Sequence, residues 1–365
     1  MSGDGGDTGS GAGSGSGSGA GGGAPLRVGL IGAGRIGASH ARLLGTRVRG
    51  ARLVAVADPR PGAAEAVAAP LGARAVLDPD EVLGDPGVDA VVITASTEAH
   101  AGLVEAAAAA GKAVFCEKPA GMDPAEVQRG TAATDAAGVA FQVGFNRRFD
   151  RGFAQARAQL AAGLVGTPQL LRSVTRDPGL ADPAAVPPWA IFRLTLIHDF
   201  DTLLWLHPGA QPVSVYAVAD ALVAPGFKDA GLLDTAVVTI RFDDGAIATA
   251  EASFSAAYGY DVRAEVFGSA GMLTVGSPVG TAPVRYDAAG SHAATVRSDV
   301  ELFADAYTGE FEEFTAAVRE RRTPAVTGRD AHRALAIAMA CIESVRTGQP
   351  VVPATGVPSG AAVPR

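Results

Sequence analysis

Two ionisable side chains, Lys118 and His198, have sequence surroundings that suit proton transfer. Lys118 stands in a Glu-Lys-Pro turn directly after the apolar strand predicted at Ala113–Cys116. His198 lies in the otherwise apolar stretch IFRLTLIHDFD, residues 191–201. Amines and imidazoles beside a bound hydroxyl can take or return its proton. We therefore expect these two residues to carry acid–base chemistry if the fold brings them together.

Two carboxylates close to His198 also need an explanation. His198, Asp199 and Asp201 fall within an apolar helical stretch, and buried polar groups are costly without partners. Asp201 is three residues after His198 on the same helical face, so we predict that it orients the imidazole ring. Asp199 points about 100° away and is predicted to be structural.

A glycine-rich turn between two predicted strands indicates a dinucleotide-binding site. The segment VGLIGAGRIG starts at residue 28, and Gly32, Gly34 and Gly37 fit the spacing GxGxxG. The first glycine permits the tight turn, the second admits a pyrophosphate, and the third lets the helix pack on the strand. The amino end of the helix then offers free N–H groups to the phosphates. Asp58 ends the second strand, where a carboxylate can bind the ribose hydroxyls.

The choice between the two nicotinamide dinucleotides depends on Asp58 and Arg60. The charge of Asp58 repels a 2′-phosphate and favours NAD, but the Arg60 guanidinium could pair with that phosphate, so NADP is not excluded. Lys118 follows the fifth strand at the same sheet edge, where a positively charged nicotinamide would promote the loss of its proton. The predicted cofactor-binding residues are Gly32, Gly34, Arg35, Ile36, Gly37, Asp58, Arg60, Ser96, Thr97, His100, Glu117 and Lys118.

Composition limits the class of protein. Of the 365 residues, 1–24 are almost entirely Gly, Ser, Ala and Asp, which predicts a disordered tail without the features of an export signal. A formal net charge of −8 argues against nucleic acid or an anionic membrane as partner. No apolar run is long enough to cross a bilayer, and the two cysteines, Cys116 and Cys341, lie in apolar contexts. We expect a cytoplasmic protein that acts on a small molecule.

Strands and helices alternate from residue 26 to 145, which predicts a doubly wound parallel sheet, the Rossmann type of α/β fold. From residue 146 the pattern becomes α+β. Helices are predicted at 151–162, 189–206, 303–320 and 328–347, and strands at 168–175, 212–220, 233–242, 246–255, 261–268 and 271–275. The predicted units are the disordered tail, a dinucleotide-binding domain at 25–145, an α+β domain on an open, mostly antiparallel sheet at 146–349, and a loose tail at 350–365.

Several motifs together resemble those of the Gfo/Idh/MocA family of nicotinamide-dependent sugar and cyclitol oxidoreductases, and within it the inositol dehydrogenases. They are GLIGAGRIG, the Glu-Lys-Pro turn, QVGFNRRFD at 142–150, Thr-Arg-Asp-Pro at 175–178, IHDFD at 197–201, LDTAVVTIRFDDGA at 233–246 and YGYDVRAEVFGSAGM at 258–272. The resemblance implies a tetramer assembled through the open sheet, catalytic roles for Lys118 and His198, and a cis Lys–Pro bond. The substrate-binding residues that it implies are Asn146, Arg147, Asp177, Thr195, His198 and Tyr258.

Two features before His198 depart from the pattern of inositol dehydrogenases. These enzymes usually carry an aspartate one helical turn before the histidine, and here that position is Leu194. Loss of a positioned acid or base commonly costs about 10²–10⁴ in rate. Three outcomes stay open: the pair Lys118 and His198 works alone, Asp201 partly substitutes, or the ancestral reaction is lost. The second departure is Pro188-Trp189-Ala190, which replaces a segment that usually contains glycines. The bulky Trp189 is expected to narrow the pocket.

The sequence thus predicts an NAD-dependent oxidoreductase that interconverts a secondary alcohol and a ketone on a cyclic polyol or sugar-like substrate. In this hypothesis His198 is the first proton acceptor and Lys118 orients and polarises the oxygen. Asp177, Asn146 and Arg147 would hold ring hydroxyls. The alternative is a catalytically silent NAD-binding protein with a sensing or scaffold role. A third possibility is an amino- or deoxy-sugar as substrate.

Overall fold

The computed structural model describes residues 24–278 and 284–355. The tail predicted to be disordered lies outside the described residues except for Ala24, and so does the stretch 356–365. Val351 belongs to the tail predicted to be loose, but it pairs with Val215 through two backbone hydrogen bonds of 2.8 Å. That part of the tail is therefore fixed to the edge of a sheet.

Six parallel strands form the sheet of the amino-terminal part, in the order β3-β2-β1-β4-β5-β6. They are β1 (Leu26–Ile31), β2 (Ala51–Ala57), β3 (Arg74–Val76), β4 (Ala90–Ile93), β5 (Ala113–Glu117) and β6 (Phe141–Gly144). The order reverses between β1 and β4, and ligands of such sheets bind at the carboxyl ends of the strands beside that reversal. The predicted doubly wound sheet is confirmed.

Buried apolar strands and flanking helices stabilise this sheet. Every residue of β4 and β5 is buried, as expected for parallel strands covered on both faces. The helices are α1 (Arg35–Thr46), α2 (Ala63–Ala68), α3 (Asp80–Leu83), α4 (Thr97–Ala109) and α5 (Pro124–Ala137). The single turn of α3 is too short to give a periodic sequence signal. Asp123 caps α5, because its side chain accepts a hydrogen bond from the N–H of Glu126 at 2.9 Å.

A second six-stranded sheet follows, in the order β12-β11-β7-β10-β9-β8. Its strands are β7 (Pro168–Arg176), β8 (Pro212–Asp220), β9 (Thr235–Phe242), β10 (Ile247–Ser253), β11 (Asp261–Gly268) and β12 (Gly271–Val275). Only the pair of β7 and β10 is parallel within this sheet, so the predicted open, mostly antiparallel sheet is confirmed. A small ribbon of β13 (Arg285–Asp287) and β14 (Gly290–His292) was not indicated by the sequence pattern.

The helices described after β6 are α6 (Arg151–Ala161), α7 (Leu196–Leu206), α8 (Asp299–Leu302), α9 (Ala304–Glu320) and α10 (Gly328–Thr347). α9 packs on α1 of the first domain, whereas α7 and α10 pack on the second sheet. α7 contacts β7 and β10, and α10 contacts β8. α10 begins with a capping box in which Thr327 and Asp330 bind each other's backbone N–H groups. Large apolar side chains such as Phe200 and Phe242 are fully buried in the core between helices and sheet.

The helix predicted over 189–206 begins differently in the structure. Trp189 has a φ of 63°, a conformation that bulky residues rarely adopt. Residues Ile191–Thr195 form a π-helical turn, and α7 starts only at Leu196. Such turns are frequent at functional sites. The Trp189 ring lies 5.0 Å from the guanidinium of Arg346 and is not among the described residues that line the cavity below, so the expectation that it narrows the pocket is wrong.

Candidate active site

A cavity of about 430 Å³ opens between the carboxyl edge of the first sheet and the second domain. The glycine-rich turn borders it through Gly34. Lys118 and His198 both line it, although they are far apart in the sequence. The two residues predicted to act together therefore share one cavity. Its other polar lining includes Asn146, Arg147, Thr175, Asp177, Thr195, Tyr260 and Asp299.

The glycine-rich turn fits a pyrophosphate. A Cβ on Gly32, where φ is +103°, would lie 2.5 Å from the backbone nitrogen of Ala95, and a Cβ on Gly37 would lie 1.9 Å from the Gly32 carbonyl oxygen. A Cβ on Gly34 would meet nothing within 4 Å. The turn is thus packed on one side and open on the other. α1 receives no side-chain cap from the described residues and has no acidic residue in its first turn, so its free N–H groups can bind phosphates.

Asp58 lies buried just beyond β2 and is held by neighbouring donors. Its Oδ2 accepts hydrogen bonds from the N–H of Ala33 at 2.8 Å and from Nη2 of Arg60 at 2.9 Å. Its Oδ1 accepts a further bond from Nε of Arg60 at 2.9 Å. The Arg60 side-chain bond and the two backbone bonds lower the pKa of Asp58 to about 2, against the opposing effect of burial. The carboxylate is therefore ionised and fixed, as a ligand for ribose hydroxyls requires.

Arg35 and Ile36 follow the open glycine and line the cavity. The Arg35 guanidinium pairs with Asp299 of α8 at 2.9 Å. Because one residue belongs to the first domain and the other to the second, this ion pair connects the two walls of the cavity.

The residues predicted on the α4 side differ in their placement. Thr97 and His100 line the cavity. The His100 ring nitrogens lie 2.8 Å from the Pro119 carbonyl oxygen and 3.1 Å from that of Ala95, which fixes the ring between two loops. Ser96 is exposed and is not among the described residues that line the cavity.

Glu117 is buried, lines the cavity, and holds the turn that follows it. Its Oε1 lies 2.7 Å from Nε2 of His40, and its Oε2 accepts the N–H of Lys118 at 3.1 Å. Burial opposes its ionisation, but the hydrogen bond and charge of His40, aided by Lys118, outweigh burial and lower the pKa of Glu117. The peptide between Lys118 and Pro119 is cis, as the family resemblance implies.

The amine of Lys118 is anchored by the backbone of the π-helical turn. Its Nζ donates a hydrogen bond to the carbonyl oxygen of Leu194 at 3.1 Å. The position that lacks the expected aspartate thus contacts Lys118 through its backbone instead. Burial lowers the pKa of Lys118, although the charges of Glu117, Asp299 and Asp177 oppose that effect. Lys118 is therefore held in place without a direct carboxylate partner among the described residues.

His198 lines the cavity on the opposite wall. Its ring meets Phe145 edge to face, with the centroids 6.0 Å apart. Nδ1 is inaccessible to solvent and has no hydrogen-bond partner in the described part of the chain. Nε2 is therefore the ring nitrogen on the cavity side. Burial, together with the charges of Lys118 and Arg147, lowers the pKa of His198 well below its usual value. The imidazole is neutral in this environment.

The prediction that Asp201 orients His198 is wrong. Its carboxylate binds Arg148 through two hydrogen bonds, with Nη2 to Oδ1 at 2.5 Å and Nε to Oδ2 at 2.9 Å. Arg148 comes from the turn after β6, so this partner could not be read from the helix alone. Asp199 is structural as predicted, because it accepts hydrogen bonds from Arg147 at 3.0 Å and from Thr175 at 2.7 Å.

The implied substrate-binding residues are brought together with one exception. Asn146, Arg147, Asp177 and Thr195 all line the cavity. Tyr258 does not: its side chain is 46% exposed, and its hydroxyl donates to Asp261 at 2.7 Å. Tyr260 lines the cavity instead. The sequence reasoning missed several cavity or core residues, because no local pattern marks them; they include His40, Thr175, Tyr260 and Asp299.

Comparison with known proteins decides the family. The model described as "Oxidoreductase family, NAD-binding Rossmann fold" matches residues 26–145, and that of the family's C-terminal alpha/beta domain matches residues 192–352. The chain belongs to the Gfo/Idh/MocA oxidoreductase family. This confirms the family that the motifs indicate, and with it the Rossmann domain and NAD as the cofactor.

Relatives and solved structures agree with that assignment. A scyllo-inositol 2-dehydrogenase (NAD(+)) from Bacillus subtilis is 39% identical over 329 residues, covering 89% of this chain and 96% of that protein. A myo-inositol 2-dehydrogenase from Thermotoga maritima is 37% identical over 329 residues, covering 88% and 96%. A crystal structure of scyllo-inositol dehydrogenase from Lactobacillus casei with bound NAD(H) and scyllo-inositol matches with a TM-score of 0.86 at 27% identity, covering 90% of this chain and 98% of that chain.

The prediction that the chain is a nicotinamide-dependent dehydrogenase is confirmed by these comparisons. Across residues 24–278 and 284–355, no helix combines the length and the apolar character needed to cross a membrane.

Proposed function

We propose that this protein interconverts a secondary alcohol and a ketone on a cyclic polyol of the inositol type, with NAD as the redox partner. The observation that carries the proposal is the shared cavity, where Lys118 and His198 lie beside the glycine-rich turn. The relatives with this architecture are named inositol dehydrogenases. Bound NAD would supply the group that accepts a hydride from the substrate carbon or returns it.

The chain's own residues suit a neutral, hydroxyl-rich substrate. Asn146 and Thr195 present an amide and a hydroxyl at the cavity wall, and each can exchange hydrogen bonds with a ring hydroxyl. Arg147 is fixed by Asp199 and can donate further N–H bonds. We therefore propose substrate-binding roles for Asn146, Arg147, Thr195 and Asp177.

Lys118 and His198 are proposed to hold the reacting hydroxyl between them. Lys118 is anchored at Leu194 and would polarise the oxygen. His198 presents Nε2 to the cavity, since its Nδ1 is sealed. Two groups on opposite walls fix the position of one oxygen, and positioning of this kind is a large part of a catalysed rate.

The test is NADH formation by the purified full chain, given NAD and a panel of inositols, aminocyclitols and aldoses. We expect turnover with at least one inositol, and a loss of about 10²–10⁴ in kcat for Lys118→Ala and for His198→Ala. Lys228→Ala is the matched control, because Lys228 is an exposed lysine paired with Asp220 at 2.7 Å. Absence of NADH with every compound, or full activity of Lys118→Ala, would refute the proposal.

The silent alternative rests on Leu194 alone. The relatives named above carry enzyme names and give it no support. It would be favoured by an outcome in which the chain binds NAD, as measured by calorimetry, yet oxidises nothing on the panel.

We also propose that a second copy of this chain covers the outer face of the second sheet, as the first step towards a tetramer. That face exposes large apolar side chains, including Val218, Val237 and Ile247, at 58, 51 and 43% exposure. Apolar patches on a sheet commonly mark protein interfaces. Sedimentation should give an oligomer for the wild type and a smaller species for Val237→Lys.

The free, buried Cys116 and Cys341 are consistent with the cytoplasmic location expected from the sequence.

A further inference from the structure

Asp177 carries a carboxylate that is unpaired within the described part of the chain. Its backbone is fixed, because its N–H donates to the Ser253 carbonyl at 2.9 Å and its own carbonyl accepts from Ala256 at 2.8 Å. Its side chain lines the same cavity as Lys118 and His198. No residue within the described ranges forms a hydrogen bond or ion pair with that carboxylate. A rigidly placed, unpaired charge at a cavity wall is available to a bound molecule.

We propose that Asp177 takes the proton of the reacting hydroxyl, the role that the sequence suggested for His198. The inference deepens the proposed function and rests on it. In oxidation the substrate O–H bond breaks and its electron pair forms the carbonyl double bond. The carbon-bound hydrogen leaves with its electron pair to NAD⁺, and the proton passes to Asp177, which becomes a neutral carboxylic acid. Reduction of the ketone returns the proton by the same path.

The surroundings of His198 oppose its acting as the acceptor. Protonation would create an imidazolium close to the positive charges of Lys118 and Arg147, which lower its pKa in addition to burial. The sealed Nδ1 has no acceptor within the described structure, so an imidazolium would bury an unpaired N–H. His198 is better suited to orient the oxygen as a neutral hydrogen-bonding group.

The surroundings of Asp177 favour proton uptake. Burial raises the pKa of Asp177 to about 6, with Asp299 and Asp199 adding to the rise and Lys118 and Arg147 opposing it. Protonation removes the cost of holding a charge in a poorly solvated site. A general base is most effective when its pKa lies near the working pH.

Two neighbours of Asp177, His198 and Tyr260, do not duplicate this titration. Burial lowers the pKa of His198 and raises that of Tyr260, so both move away from pH 6. Lys118 is a base whose pKa is lowered from a much higher starting value. The charged and titratable groups that face Asp177 are Lys118 after β5, Arg147 after β6, His198 and Asp199 on α7, Tyr260 before β11, and Asp299 on α8.

The backbone of the π-helical turn makes this arrangement possible. Because Nζ of Lys118 donates to the Leu194 carbonyl at 3.1 Å, the amine is positioned without an ion pair to Asp177. Two separate features thus take over the roles of the aspartate that inositol dehydrogenases usually carry at the position of Leu194. A carbonyl positions Lys118, and a carboxylate from the end of β7 receives the proton.

The first test is the pH dependence of kcat/KM for polyol oxidation. In the wild type it should rise with pH through about 6, since Asp177 must be ionised to accept a proton. Asp177→Asn should lower kcat/KM by about 10²–10⁴ and abolish the rise. Asp177→Glu should retain more activity than Asn, because it keeps a carboxylate. Asp299→Asn is the matched control: it should keep the rise but move it to lower pH, since the Asp299 charge raises the pKa of Asp177.

The second test needs no turnover. In ¹³C-aspartate-labelled protein without cofactor, one carboxyl resonance should titrate near pH 6, and Asp177→Asn should remove it. A rise that persists in Asp177→Asn, an Asn variant more active than Glu, or the absence of that resonance would overturn the inference. These outcomes leave the proposed function intact as long as the wild type forms NADH. A wild type that forms none removes the function, and this inference with it.

Discussion

His40 Nε2 lies 2.7 Å from the Glu117 carboxylate oxygen, and both side chains are buried beside the Lys118–Pro119 turn. Glu310 of α9 is the third member of this buried cluster, and one ligand atom from each residue lies within 4.8 Å of the others. Neither oxygen of the Glu310 carboxyl has a partner among the residues described. Burial and the charge of Glu117 raise the pKa of Glu310 well above its ordinary value. Glu310 is therefore a neutral acid in the folded protein.

We expect the wild-type protein to lose stability as the pH rises, and we expect Glu310→Gln to abolish this loss. The folded protein keeps a proton on Glu310 that the unfolded chain releases above its ordinary pKa of 4.5. The free energy of unfolding should then fall by up to about 1.4 kcal/mol per pH unit until the folded group ionises. Glutamine cannot ionise, so this contribution disappears. Unfolding midpoints between about pH 6 and 9 measure the slope, with the exposed Glu312→Gln as control. Equal slopes for wild type and Glu310→Gln would contradict the prediction.

Leu194→Asp tests whether the cavity already contains a working base. The new carboxylate should raise the pKa of Lys118. Because Asp177 already accepts the proton in our proposal, kcat/KM should change by less than about tenfold. Leu194→Asn controls for size and polarity without charge. A gain of about 10² or more from near-zero activity would instead favour the silent alternative.

The ion pair of Arg148 and Asp201 should contribute to stability and not to catalysis. Both side chains are buried, at 8 and 1% exposure. Removing the Asp201 charge leaves Arg148 with its weaker ion pair to Asp330 at 3.1 Å, so the buried guanidinium is less well compensated. We expect Asp201→Asn to lower the free energy of unfolding by about 1–3 kcal/mol. Its kcat should stay near the wild-type value in folded protein, because Asp201 does not contact His198. Urea unfolding and steady-state assays measure the two quantities. A large loss of kcat at unchanged stability would restore the ring-orienting role.

Local sequence was sufficient wherever a feature depends on residues adjacent in the chain. The glycine spacing predicted the turn at Gly32, where any Cβ would collide with the Ala95 backbone. The Glu-Lys-Pro turn predicted that Lys118 lies at the carboxyl edge of the sheet, because parallel strands end there together. The same reasoning led to the expectation that Lys118 would share a site with residues of the second domain.

Partners from distant segments could not be predicted in this way. Asp201 was assigned to His198 because helical spacing placed them on one face. The Asp201 carboxylate instead binds Arg148, which lies on another element. Helical periodicity also assumes an α-helix, and the π-helical turn before Leu196 breaks that assumption. Tyr258 and Tyr260 are separated by Gly259, whose φ of +123° redirects the chain between them. The residue types alone do not show which of the two tyrosines faces the cavity.

The side-by-side charges of Asp58 and Arg60 predict how cofactor preference can be changed. The guanidinium is 65% exposed and donates two hydrogen bonds to the buried carboxylate. Asp58→Ala removes the carboxylate that we predict to bind ribose hydroxyls and releases Arg60 to pair with a 2′-phosphate. A charge-assisted hydrogen bond contributes about 1.5–3 kcal/mol. We therefore expect the ratio of kcat/KM for NAD to that for NADP to fall by about tenfold or more.

The double variant Asp58→Ala/Arg60→Ala separates the two contributions to that shift. In the double variant no guanidinium at position 60 can pair with the 2′-phosphate of NADP. This variant should therefore use both cofactors poorly and regain little activity with NADP. Initial rates with each cofactor at a saturating polyol concentration measure the preference. If Asp58→Ala and the double variant respond identically to NADP, Arg60 does not reach the phosphate. The wild-type preference for NAD would then rest on the Asp58 carboxylate alone.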